Sequence, residues 1–265
     1  MMLSVAACIR KRPTGVIRKS ERIAEHALEM KAASMRRAVH LFLGLLLSAA
    51  SAARAADDKN SAAATEEARL SAREVVLSIA ASTNPATGGT QVLGAVLIDA
   101  PPARVWAAWK DWESVSAFVP DLRYYKTVHV IRPENDAGER EALIEGKQDV
   151  GCFSARFTLH VRFDRAAWRQ EWHLLTCDEA QSWRRQEVPV KDASWSIRRI
   201  EGSGCLEPRE DGRKTVLRYA PRLETALLTP GFLERRAAER SLRAFLAGMR
   251  DRVEAAQSKD APVSP

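Results

Sequence analysis

The chain has 265 residues, 46% of them hydrophobic and 28% charged, with 41 Lys and Arg against 34 Asp and Glu. That allows one large or two small domains, and it excludes collagen, a disulfide-stapled miniprotein and a wholly disordered chain. The net charge of +7 suggests nucleic acid, but ten basic and three acidic residues fall within 1–55, leaving 31 of each sign beyond. The remainder is neutral, and no nucleic-acid partner is expected.

Residues 35–55, inside this basic segment, carry a pattern of their own. Arg36 and Arg37 precede the apolar run Leu41–Leu47, and Ala53-Arg54-Ala55 is a small-x-small cleavage pattern. The uncharged run 38–53 is shorter than the ~20 apolar residues of a spanning helix, so a signal peptide is preferred over an uncleaved anchor. The expectation is a periplasmic or secreted protein, cleaved near Ala55. Since signal peptides begin at a start codon, 1–34 reads as an over-extended N-terminus, with Met30 or Met35 the true start. The mature chain keeps Cys152, Cys177 and Cys205, whose spacing fits neither zinc nor a thioredoxin-type motif. One disulfide with a free thiol and three unpaired cysteines both remain open.

Residues 56–73 read as a linker or a short surface helix. Glu74–Ser82 and Gln91–Asp99 are β-rich runs around the turn Asn84–Gly89, a hairpin pattern. Ala100–Asp111 reads as a helix with proline in its first turn and Val105, Trp106 and Trp109 on one side. A second short helix is expected over Ser114–Val119. The period then changes to two, giving strands over Tyr125–Arg132, Arg140–Val150, Phe153–Phe163 and Trp168–Thr176. Pairing Phe163 with Trp168 puts Leu159 opposite Trp172 and Phe157 opposite Leu174. Strands over Ser194–Leu206 and Lys214–Leu223 follow. One long helix over 230–256, capped by Thr229, carries Ala238, Leu242, Phe245, Leu246, Met249 and Val253 at helical spacing. Residues 257–265 are an expected disordered tail.

Ile98-Asp-Ala-Pro-Pro-Ala-Arg-Val-Trp106, Asp111 and Phe118-Val-Pro120 form a motif, with Glu201-Gly-Ser203, Thr215–Tyr219 and Pro230–Phe232 as a weaker second. With this order of elements, residues 74–256 resemble the START-like (SRPBCC) superfamily of polyketide cyclases and coenzyme Q-binding START proteins. The resemblance implies an α+β helix-grip fold, a curved antiparallel sheet wrapped around the C-terminal helix with a cavity between them. Gly204 stands where many relatives carry Trp, and Trp183–Lys191 departs from the usual spacing.

Enzyme signatures are missing: no G-x-S-x-G, no glycine-rich phosphate loop, no H-E-x-x-H. His160 and His173 fall on the outer face, and Arg218, Tyr219 and Gln170 are polar groups that a cyclase-type pocket would use. The aromatic residues carry more information. Trp106, Phe118, Phe157, Leu159, Trp172, Leu174, Trp195, Tyr219, Leu242, Phe245 and Met249 are the expected ligand-binding residues. They are read either as the lining of an apolar cavity or as plain core. The expected function is non-covalent binding of a hydrophobic small molecule, a lipid or isoprenoid-like ligand. No cofactor, catalytic residue or metal is expected. The protein is read as a monomer whose Arg-rich helix face is a solvated face, with transient contact to acidic lipid head groups as the alternative. A cyclase or dehydrase working in the same cavity is the alternative, and a module gripping a protein partner is a third reading.

Overall fold

Eight segments pair into one antiparallel sheet with two unequal faces. The computed structural model describes residues 62–80, 91–150, 153–192, 197–225 and 231–260. The expected signal peptide, the turn at Asn84–Gly89, Cys152, Trp195 and the Thr229 cap lie outside them. Thr65–Pro265 form a unit separate from Met1–Ala64. Its strands are β1 (Val76–Ala80), β2 (Gln91–Ile98), β3 (Leu122–Arg132), β4 (Glu139–Val150), β5 (Phe153–Asp164), β6 (Arg169–Leu174), β7 (Ile197–Arg209) and β8 (Lys214–Thr225). Their order across the sheet is β1-β2-β8-β7-β6-β5-β4-β3. Helix α1 (62–71) precedes β1. Helix α2 (Pro102–Trp109) and a 3-10 helix (Trp112–Ala117) carry the chain from β2 to the far edge at β3. Helix α3 (Cys177–Arg185) follows β6, and α4 (Gly231–Asp260) closes the chain.

The apolar stripe of α4 (Leu242, Phe245, Leu246, Met249 and Val253) is buried against the inner face of the sheet with Val92, Val96, Ile98 and Leu217. Asp111, after α2, pairs with Arg252 of α4 at 2.6 Å, and this hydrogen bond holds its carboxyl below the usual range. Register shifts along β3 and near the start of β7 supply the local bends that a wrapped sheet needs. An eight-stranded sheet around a C-terminal helix, with two short helices after β2, is the helix-grip, START-like arrangement.

The outer face is partly covered too. Leu70 of α1 packs with Val76, Ala95 and Val216, while Ala180 of α3 packs with Leu143, Leu175, Val188 and Val190. Helix α3 was not expected from the sequence. A reciprocal capping box starts it: Thr176 Oγ1 accepts from the Glu179 backbone N–H, and Glu179 Oε2 accepts from that of Thr176.

The β5–β6 register differs from expectation by two residues. Phe163 pairs with Gln170, Val161 with Trp172 and Leu159 with Leu174. The turn consumes Arg165 to Trp168, and Trp168 leaves it in the left-handed region at φ 51°. A shift of two preserves the face, so Trp172 and Leu174 still point inward.

Large rings sit directly on inner-face glycines. A Cβ on Gly202 would overlap the Trp172 ring; one on Gly204 would lie 2.6 Å from the Trp109 ring and 2.9 Å from the Arg218 carbonyl oxygen. The absence of Trp at 204 is therefore answered by Trp109 arriving from α2. Because a strand carbonyl cannot step aside, Gly204→Ala is expected to cost about 1–3 kcal/mol through overpacking. Urea unfolding measures it, and a loss below about 0.5 kcal/mol, the scale of an ordinary surface substitution, would contradict the close approach.

Candidate functional site

The inner face has a closed end and a looser one. At the closed end Trp106 meets Trp109 and Trp168 edge-on, each at 5.8 Å between ring centres, and Ile98, Val105, Leu217 and Met249 fill the remaining space. Cover is incomplete in places: Trp168 at this end, and Leu77, Phe118, Leu174, Ile200, Leu223 and Ala238 toward the other end of the strands, are half-buried while packing on the same core.

Between the two ends runs a chain of rings. Phe245 lies 4.4 Å from Tyr219, Tyr219 stacks on Trp172 at 4.6 Å, and Trp112 meets Trp172 at 5.9 Å and Tyr125 at 5.1 Å. Tyr125 and Tyr219 combine two properties that rarely coincide. Both are deep enough for desolvation to raise their phenols, Tyr219 with a further rise from Tyr125. Yet both are only half-buried. Both pack in the aromatic chain of the core while keeping part of their surface uncovered.

The polar groups nearby are few. Gln170, on the inner face two residues before Trp172, is fully buried, and its Oε1 accepts from Trp112 Nε1 at 3.1 Å. That bond leaves Gln170 Nε2 without a partner, and Trp106 Nε1 is likewise buried and unpartnered. Both phenols stay neutral near physiological pH, so they can donate hydrogen bonds but are poor proton acceptors.

Of the residues expected from sequence, Phe118, Leu174 and Tyr219 lie half-buried at the looser part. Phe157, Leu159, Trp172, Leu242 and Phe245 form its close-packed walls, whereas Trp106 and Met249 belong to the closed end. Trp195 lies outside the described residues. Tyr125, Trp112, Ile200 and Leu223 were not singled out. Tyr125 was hidden by the irregular register of β3, which breaks simple alternation, and Trp112 by its place in a short 3-10 helix.

No protein-family model matches the chain, and no curated protein matches it. Among solved structures it is similar to a STAR-related lipid transfer protein from Xanthomonas axonopodis, at 13% identity over 68% of this chain and 93% of that one, TM-score 0.49. It is also similar to an aromatase/cyclase from Streptomyces sp. R1128, at 14% identity over 67% and 100%, TM-score 0.47. A START superfamily protein from Mycobacterium smegmatis gives 16% over 64% and 99%, TM-score 0.47. The fold assignment rests on this chain's own strand order and helix placement.

The outer face carries a different set of features. A cleft of about 170 Å³ there is bordered by Glu66, Arg169, Ser203, Cys205 and Arg218. Arg218 is already held by Glu66 at 2.5 Å and Glu207 at 2.7 Å. Cys205 and Cys177 are free thiols, and burial pushes that of Cys205 up. His160 and His173 pair across β5 and β6 with ring centres 5.1 Å apart; His160 reaches Glu141 at 3.2 Å and His173 reaches Glu179 at 3.3 Å.

Burial lowers the His160 pKa, and the neighbouring His173 adds to this against the pull of Glu141. Burial opposes ionisation of Glu141, but His160, Arg162 and Arg132 outweigh it and leave its pKa lowered. A depressed histidine disfavours the fold as pH falls through the unfolded imidazole value of ~6.5. The depressed Glu141 adds its loss at lower pH, below the usual glutamate range. Urea midpoints should therefore fall between about pH 7.5 and 5.5, across the imidazole range, and His160→Gln should flatten that window. An unchanged slope in the variant would show that His160 does not set it.

Proposed function

We propose that this protein binds a hydrophobic small molecule, lipid or isoprenoid-like, non-covalently at the looser end of its inner face. The observation that carries this reading is the placement of Tyr125 and Tyr219, packed into the aromatic chain of the inner face yet incompletely covered. Half-buried Phe118, Leu174, Ile200 and Leu223 supply apolar walls around them. Apolar and aromatic walls with a few polar groups are what small-molecule sites present. The lipid-transfer and cyclase proteins of similar layout keep both ligand carriage and cyclase chemistry in view, and carriage is the better supported. The titratable groups described on the inner face at this end are two raised phenols, and neither is set to exchange a proton near neutrality. We propose further that binding occurs outside the cytoplasm, on the strength of the arginine pair, the uncharged run 38–53 and the Ala53-Arg54-Ala55 pattern.

One experiment addresses both points. Native mass spectrometry of the protein recovered from the cell envelope should show a chain beginning near Ala56 with an added mass that organic solvent releases. Leu174→Trp, which puts a large ring into the looser end, should lose the added mass while its circular dichroism stays unchanged. An uncleaved chain would overturn export. A ligand-free wild type that also fails to take up a neutral apolar dye would overturn carriage.

A further inference from the structure

The looser end of the inner face has an excess of hydrogen-bond donors. Neither the Tyr125 nor the Tyr219 hydroxyl has a hydrogen-bond partner among the described residues, and the two rings pack against other rings. Gln170 Nε2, buried beside the same ring chain, also lacks an acceptor, as does Trp106 Nε1 at the closed end. The acceptor that would balance Gln170 is already taken, because its Oε1 is held by Trp112. Thr215, the other buried polar side chain on this face, is satisfied by donating to the Ala100 carbonyl at 2.7 Å. A buried donor left unmatched is expensive, which applies to Gln170 Nε2; at the two phenol hydroxyls, which are not buried to that degree, a ligand's acceptor oxygen takes the place of water.

The charge of that ligand is constrained as well. The phenols are held in their neutral form, and the other residues named at this end, Trp112, Phe118, Gln170, Trp172, Leu174 and Phe245, are uncharged. An ionised carboxylate or phosphate placed there would be stripped of water without a counter-charge, which is far costlier than leaving a carbonyl unpaired. A neutral oxygen meets no such penalty. The surrounding rings of Trp112, Trp172, Phe245 and Phe118 offer faces and edges to a flat molecule.

We infer that Tyr125 and Tyr219 are the specificity-determining residues of the site, donating to an uncharged acceptor oxygen on a flat apolar ligand and discriminating against ionised ones. This rests on the binding proposed above and adds to it which chemistry the site selects. The two phenols act as donors only, so phenylalanine, which keeps the ring and removes the hydroxyl, is the informative replacement.

The test uses three probes of one shape with the full chain: fluorene, fluorenone, which adds a carbonyl oxygen, and fluorene-9-carboxylate, which adds a charge. Tryptophan fluorescence reports binding. Fluorenone should bind about tenfold more tightly than fluorene, the worth of one or two well-made hydrogen bonds, and the carboxylate should bind more weakly than fluorene. Tyr219→Phe and Tyr125→Phe should each reduce the ratio of fluorenone to fluorene affinity, and together bring it to one. Equal binding of fluorene and fluorenone, or a preference that survives the double replacement, would overturn the inference and leave the chamber intact. Tighter binding of the carboxylate would overturn it by pointing to an unassigned cation. Failure of all three probes to bind would count against the proposed binding site itself, and the inference would fall with it.

Discussion

The fit of aromatic rings onto strand glycines sets the shape of the interior. Gly202 receives Trp172, Gly204 receives Trp109, and Gly146 receives Phe157 and Tyr125, all closer than a Cβ would permit. Glycine is poor strand material, having no side chain to pack and more backbone entropy to lose, so its place here is understood through what lies above it. Each ring that sinks into the sheet allows the next layer to approach. Leu242 and Leu246 of α4 rest on Gly94, and Phe118 rests on Gly248 of the helix. At the α2 end Trp106, Trp109 and Trp168 interlock, whereas toward the other end Leu174, Ile200 and Leu223 are half-covered.

The two faces of the sheet accordingly do different work. Inside, the polar groups are neutral and sparse, and those without partners are donors. Outside, charge is abundant and mostly neutralised: Glu145, 2% exposed, is met by Tyr124 and Arg156, and Arg218 is clamped between two glutamates. Such an exterior is suited to holding α1 and α3 in place, with each exposed pair contributing little by itself. Catalysis by the histidine pair finds no support in this arrangement. His160 and His173 sit on the outer face, each engaged with its own glutamate, on the side of the sheet away from the aromatic chain.

Much of this architecture was legible in the sequence because it depends on alternation. The strict period of β5 fixed its inward face, and the threes and fours of α4 picked out Leu242, Phe245, Met249 and Val253 correctly. Quantities depending on turn length were less accessible. The β5–β6 register slipped because nothing in the alternation requires Trp168, a bulky residue, to occupy a left-handed turn position. Helix α3 was announced by Thr176 and Glu179 at capping-box spacing, a signal that stands in the sequence but is short and followed by mixed polar residues. The site was only half legible. Tyr219 and Leu174 follow from alternation, whereas Tyr125 lies on a strand whose shifts break it. The unmatched nitrogen of Gln170 depends on a tertiary bond from Trp112, 58 positions away along the chain, which no local pattern encodes.

The central claim is that space remains between the sheet and α4 beside Tyr125 and Tyr219. Diffraction from crystals held under xenon tests it most directly, since xenon enters apolar cavities and scatters strongly. The account predicts xenon density bordered by Tyr219, Tyr125 and Leu174, with the Trp106–Trp109 end empty of it. Xenon only in the outer cleft, or side chains meeting across the looser end with no density between them, would contradict it.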